Sequence, residues 1–392
     1  MVEAGEEYMN EISLLLSIIR CEVCQNEEFN KNNISDSIIA LFTLSVKHNL
    51  SHIVASALGK ENLLGIDKLA KQFKQHLMLA IYQREQKNYE LKEISDIFDK
   101  ANIPYIPLKG EVLCQYYPEP WMRTSCDIDI LVHNEDVEET IMRLCEFGYK
   151  RGVDSTFYDC SLFSPSGVHL ELHYMLTQEN KNLAADQILK SVWDYAIPKE
   201  EGSYCYVMEN EMFMFYHIAH MAKHFMHGGC GIRSFIDLWL LRKKMMIDVE
   251  KFETMLNTAE LTAFYRAACY LSEVWFEEKE HNDLSKKMEE YVLSGGIYGS
   301  AANVSAVMTA KGERRTRFLG KLLFLSRTSL AIIYPNLRKY PILFPYYQIK
   351  RWFRVLVKGR WKKIKTLIIA RNSVTDEEVY ATSMMLEELD LF

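Results

Sequence analysis

A chain of 392 residues, 48% hydrophobic and 25% charged, is long enough for about two or three domains and a substantial buried core, which excludes wholesale disorder. No stretch reaches the about 18 uncharged apolar residues of a membrane span, and the opening MVEAGEEYMNEIS carries acids where a signal peptide needs positive charge, so neither a transmembrane nor an exported protein is expected. Nine scattered cysteines suit a reducing cytoplasm better than a disulfide framework, so the expected location is cytoplasmic. The net charge of −7 is unevenly spread. Residues 1–313 hold 30 Lys or Arg against 47 Asp or Glu; residues 314–375 hold sixteen bases and no acid; residues 376–392 hold six acids and no base. Such an acidic body does not fit a general nucleic-acid binder.

In chain order, residues 1–100 read as helical. IIALFTLSVKHNL and LMLAIYQREQKNYELKEISDIFDKA space apolar residues three and four apart, with few Gly or Pro. IPYIPL (103–108) reads as a short buried strand running into a turn at Lys109-Gly110. EVLCQYY follows as a short helix stopped by Pro118 and Pro120. DIDILVH (127–133) is a β-branched strand, and EDVEETIMRLCEFGY an amphipathic helix with Gly148 near its end. FYDCSLFS and VHLELHYM are two further strands around the turn SPSG. This makes a small α/β module over about 100–175. Beyond about residue 207 the spacing is helical again, through ENEMFMFYHIAHMAKHFM, SFIDLWLLRKKM and KFETMLNTAELTAFYRAACYLSEVWFEE to the region after Arg314.

The chemistry centres on Asp127-Ile128-Asp129. Residues i and i+2 of a strand share a face, so the two carboxylates lie side by side and repel unless a countercharge is near. A divalent metal supplies that charge, and Mg²⁺ prefers one or two carboxylates plus substrate phosphates. Glu171, between apolar residues in VHLELHY, is a candidate third carboxylate from a neighbouring strand, where a second metal would activate an attacking hydroxyl. His169, Glu171 and His173 alternate with Val168, Leu170 and Leu172, which also describes a polar outer face. Lys109-Gly110, between a strand and a short helix, suits a phosphate, and Arg123, four residues before Asp127, is a candidate phosphate clamp.

The run IPLKGEVLCQYYPEPWMRTSCDIDILV, followed by ELHY, resembles the uncharacterised nucleotidyltransferase-like family within the polymerase-β-type nucleotidyltransferase superfamily. The resemblance implies a small mixed sheet, an aspartate pair on one strand, a third acid on a later strand, and transfer of a nucleotidyl group from an NTP with Mg²⁺ or Mn²⁺. Asp127 and Asp129 match the metal-binding pair and Glu171 the third acid. Lys109-Gly110 stands in place of a Gly-Ser phosphate loop, with Glu111 where the serine would follow. The expected fold class is therefore α+β, a small mixed-sheet nucleotidyltransferase core embedded between largely helical N- and C-terminal regions. The expected segments are a helical region over 1–100, the core over 101–205, a helical domain over 206–310, a basic helical segment over 311–375 and an acidic tail over 376–392.

Outside the core, His217, His220, His224 and His227 recur at steps of three, four and three, one face of a helix, with Lys223 beside them. His217, His220, His224 and Lys223, with His173, are candidates to line the cleft; the carboxylate partner and HExxH pattern of a zinc helix are absent. Arg233 and Asp237, four apart, read as a helical ion pair. Cys21 and Cys24 form a lone C-x-x-C and read as helix packing. The basic segment 338–365 interleaves aromatics with bases and suits an anionic partner, a peripheral membrane contact, or neutralisation by the acidic body. The function expected is metal-dependent transfer of a nucleoside monophosphate from an NTP to an acceptor hydroxyl. The acceptor is a small molecule, a protein or RNA. The alternatives are a D-x-D nucleotide-sugar glycosyltransferase and a non-catalytic nucleotide-binding or regulatory relative.

Overall fold

The computed structural model of the chain describes residues 2–392 apart from 26–27, 30, 32–33, 153–157, 177–182, 297–298, 313–319, 321–323, 328–329, 332–333, 335 and 358–360. Four helices come first: α1 (Val2–Glu22), α2 (Ile34–Lys47), α3 (Ser51–Lys60) and α4 (Lys68–Ala101). Local chemistry marks both ends of α4. The Asp67 side chain accepts from the Ala70 N–H at 2.8 Å, and Asn102 turns left-handed at φ 56°.

The α/β core follows as β1 (Tyr105–Pro107), α5 (Lys109–Leu113), β2 (Asp127–Val132), α6 (Val137–Glu146), β3 (Lys150–Arg151), β4 (Asp159–Phe163) and β5 (His169–His173). These five strands form one mixed sheet in the order β1-β2-β5-β4-β3, with β2 and β5 parallel and the other neighbours antiparallel. After α7 (Leu183–Lys190), β6 (Ala196–Pro198) and β7 (Tyr206–Met208) pair as a separate hairpin, which the sequence pattern did not signal. Its Cys205 bridges to Tyr105, so the hairpin is tied to the edge of the main sheet.

Strand alternation divides the sheet chemically. Ile128, Ile130 and Val132 of β2 and Leu170 and Leu172 of β5 pack on Ile94 and Phe98 of α4 and Ile141 and Leu144 of α6. Asp127, Asp129, His169, Glu171 and His173 occupy the opposite face.

The helical half consists of α8 (Asn210–Phe225), α9 (Ile232–Lys244), α10 (Val249–Thr258), α11 (Thr262–Glu277), α12 (Asp283–Gly295) and α13 (Ala301–Ala310). It continues with α14 (Phe344–Val357), α15 (Trp361–Ser373) and α16 (Asp376–Glu388). One apolar core joins this half to the N-terminal helices, running from Leu15 and Ile53 through Phe215 and Trp275 to Leu386. Arg20 of α1 fastens the seam: Nη1 donates to the Trp275 carbonyl at 3.1 Å, and Nη2 lies 3.0 Å from Glu278. Cys21 and Cys24 pack against this core, and all nine cysteines are free thiols. No described helix is long and apolar enough to cross a membrane. Of the basic segment, Lys358 and Arg360 lie outside the described residues, as do the side chains of Arg338, Lys362 and Lys363.

Candidate active site

The parallel register sets Asp127 opposite His169 and Asp129 opposite Glu171. Two acid-bearing positions of β2 thus meet three polar positions of β5 on one face. Asp127, His169 and Glu171 offer ligand atoms all within 4.8 Å of one another, and so do Asp129, Glu171 and His173. Asp129 is buried, and its Oδ1 accepts from Lys109 Nζ at 3.0 Å and from His173 Nε2 at 2.8 Å. His173 also approaches Glu171 Oε2 at 3.6 Å.

The electrostatics follow from these contacts. Burial alone would raise the Asp129 carboxyl, but the Lys109 ammonium and the His173 hydrogen bond outweigh it and hold the group well below the usual carboxylate range. Asp127 goes the other way. Burial, then the Asp129 and Glu171 carboxylates, push it up against the pull of Lys109 and Lys87. Burial opposes the charge on His173 and Lys109. Hydrogen bonds to Asp129 and Glu171 nevertheless raise His173, and the Tyr216 phenol with the same acids raises Lys109. Asp127 is raised first by burial and then by its two acidic neighbours, so three carboxylates crowd one face. A hard divalent cation suits that charge and this oxygen-rich donor set.

Lys109 has φ 39°, a left-handed conformation unusual for a residue with a Cβ. The Leu108 N–H donates to the Asp129 carbonyl at 2.9 Å, and the Lys109 side chain returns to the Asp129 carboxylate. The turn is thus held from both ends. Gly110 serves a different need: a Cβ there would lie 2.9 Å from Ser125 Oγ. Glu111 is buried, and its Oε2 accepts from Arg84 of α4 at 2.8 Å. Helix α5 has only five residues, so its dipole contributes little.

Arg123, expected to clamp phosphate, is tied into the scaffold. Its Nε lies 2.7 and 2.9 Å from the two Asp237 oxygens, and its Nη1 donates to the Thr124 carbonyl at 2.8 Å. Tyr117 donates to the same Asp237 at 2.7 Å, and Arg233 Nη1 reaches the Thr124 carbonyl at 2.8 Å. Asp237 thus takes long-range partners that a four-residue spacing cannot reveal.

A cavity of about 190 Å³ lies between β2 and α8. Lys109, Gly110, Arg123, Asp127 and Asp129 line one side; His217, His220 and His224 line the other, with Tyr216 and Arg233. Glu171, His173 and Lys223 are not among its lining residues, and Lys223 Nζ lies 5.6 Å from the ring centre of Tyr158. His227 falls beyond the end of α8, where its Nδ1 donates to the Lys223 carbonyl at 2.6 Å. Burial lowers His217, His220 and His224, the last to about 4, so these three imidazoles are uncharged at neutral pH. His220 and His224 share a hydrogen bond between their Nε2 atoms at 3.0 Å.

Three further contributors escape motif reading. Lys87 of α4 is buried and donates its ammonium to Ser125 Oγ and the Ser125 carbonyl. Ser125 in turn donates to the Asp127 carbonyl at 3.0 Å, and Tyr216 lines the cavity together with Lys109. The signal for Lys87 was present. Phe73, Ala80, Lys87 and Ile94 recur every seven residues on the buried stripe of α4, and a lysine on such a stripe requires a partner.

No curated protein matches the chain. A family model described as an uncharacterised nucleotidyltransferase matches residues 36–277, well over half of the length, and spans both walls of the cavity. The chain belongs to this uncharacterised nucleotidyltransferase family.

Proposed function

We propose that the chain transfers a nucleoside monophosphate from an NTP to an acceptor hydroxyl. The acceptor hydroxyl gives its proton to Glu171 as its oxygen attacks the α-phosphorus, the bond to the bridging oxygen of the β-phosphate breaks, and pyrophosphate leaves. The observation that carries this reading is the shared face of Asp127 and Asp129, opposite Glu171 in the parallel register and beside Lys109 at the cavity. Asp127, Asp129 and Glu171 are the residues suited to hold Mg²⁺ or Mn²⁺, with His169 and His173 adjoining them. Bound there, a divalent ion supplies positive charge to phosphate oxygens and acidifies a coordinated hydroxyl.

The protein's own residues do the rest. Lys109, whose ammonium rests on Asp129, moves its charge to a phosphate oxygen when the triphosphate arrives, and Gly110 lets the backbone approach. Arg123, held by Asp237, stiffens the loop that carries Ser125 and Asp127. The uncharged imidazoles of His220 and His224 present donor and acceptor groups to the acceptor side without adding charge.

The test is a thermal-shift panel of the four NTPs and several nucleotide sugars, with and without Mg²⁺, run beside an Asp127→Ala/Asp129→Ala variant. A native-state ligand at about a hundred times its Kd adds about 2.7 kcal/mol of stability. An Mg²⁺-dependent shift with an NTP, lost in the variant, is the expected result. A shift with a nucleotide sugar alone turns the assignment to glycosyl transfer. NTP binding without pyrophosphate release for any acceptor turns it to a non-catalytic relative.

A further inference from the structure

The acid-free stretch of the chain, residues 314–375, contains a helix that bares apolar side chains, α14. Ile342, in the turn before α14, and Tyr346, Ile349 and Phe353 follow at steps of four, three and four, which aligns them in one stripe. They are 87, 55, 58 and 66% exposed. The helix is nevertheless anchored. Tyr347 is buried in a small core with Leu330 and Leu337, and Gln348 Nε2 donates to the Leu325 carbonyl at 2.6 Å. Lys350 is exposed, its ammonium 5.6, 5.9 and 6.0 Å from the ring centres of Tyr334, Tyr347 and Tyr346, and Arg354 follows one turn later. The acidic tail is engaged elsewhere: α16 packs on α12 and α13, with Glu388 3.8 Å from Lys287.

Aliphatic and aromatic side chains in a row, bordered by bases and free of acids, match the boundary between lipid headgroups and acyl chains. There the apolar groups sink and the bases reach phosphate. A nucleic acid would use the bases and rings but leaves Ile342 and Ile349 in water. A two-fold contact with a second copy would set bases against bases. We infer that α14 and the turn before it dock this protein on an anionic lipid membrane.

The experiment is flotation of the full-length protein with phosphatidylcholine vesicles, with and without phosphatidylglycerol. Co-flotation at least about tenfold greater with the anionic vesicles is expected, falling with added salt. Ile349→Asp/Phe353→Asp and Lys350→Glu/Arg354→Glu should each lower it about tenfold or more, with unchanged melting temperatures. Ile39→Asp, at an exposed isoleucine on α2, should leave flotation as it is. Four results overturn the inference: no flotation of the wild type, equal flotation on zwitterionic vesicles, stripe variants that float normally, or a stripe variant that converts a dimer to a monomer in light scattering. RNA binding lost with Lys350→Glu/Arg354→Glu while flotation persists would also overturn it. The Asp127→Ala/Asp129→Ala variant should float like the wild type, so this surface stands or falls separately from the catalytic assignment.

Discussion

At the scale of single residues, the site rests on buried charges whose partners come from far along the chain. Arg123 and Asp237 are both buried, and the pair ties the loop before β2 to α9. Removing one partner leaves the other charge unpaired in a poor solvent, which costs about 3–5 kcal/mol. Arg123→Ala is therefore expected to lower the urea midpoint sharply. An Arg123→Leu/Asp237→Leu double variant should lie closer to the wild type than either single change, and a urea series on the wild type, the two single variants and the double variant checks this. The Asp pair itself was legible, because two carboxylates on one strand face between β-branched neighbours demand a countercharge wherever the strand lies. The commitment of Arg123 to Asp237 was not legible, because 114 residues separate them.

At the scale of elements, the loop between α8 and α9 decides how the histidine wall meets the sheet. Gly228 and Gly229 have φ of 108° and 119°, and Gly299 closes on them so tightly that a Cβ would lie 2.4 Å from the Gly228 carbonyl carbon and oxygen. Gly312 also has a positive φ, 69°, but nothing lies within 4 Å of its Cβ direction. Both Gly299→Ala and Gly312→Ala carry backbone strain, whereas only the first also forces backbone apart. Gly299→Ala should cost about 1–3 kcal/mol more, read as the difference in melting temperature between the two variants. Four of the five strands of the main sheet were legible from alternation and turn residues, and α8 from its 3.6-residue spacing; β3, two residues long, was not. The parallel pairing of β2 with β5, which sets Glu171 opposite Asp129, was not, since alternation fixes faces but not neighbours.

At the scale of the whole molecule, burial lowers five of the described histidines, His48, His52, His217, His220 and His224, and one, His173, is raised. His52, whose Nε2 donates to the Met122 carbonyl at 2.9 Å, is lowered by burial to about 4, and His224 likewise. The unfolded chain takes protons at these positions near the ordinary value of 6.5, and the folded chain refuses them. Their stabilisation is whole above about pH 6.5 and drains away as the pH falls toward 4. His173 is raised and has the opposite sign, keeping its contribution below pH 6.5 and losing it above, but it is one group against several. The melting temperature should fall steadily from pH 7 to pH 4.5, and His52→Gln should flatten that slope. A pH series of thermal melts on both proteins checks this.

Local pattern alone determined the helical flanks, the small α/β core and the face shared by Asp127 and Asp129. Each depends only on periodicity, turn chemistry and like-charge repulsion among near neighbours. Tertiary structure alone decided that Glu171 faces Asp129, that Lys87 and Arg84 of α4 support Ser125 and Glu111, and that the histidines of α8 close the cavity over the aspartates. It also decided that one stripe of α14 stays in water while Tyr347 on the same helix is buried. These outcomes belong to packing, which selects among partners tens to hundreds of residues apart by burying apolar surface and pairing buried charges.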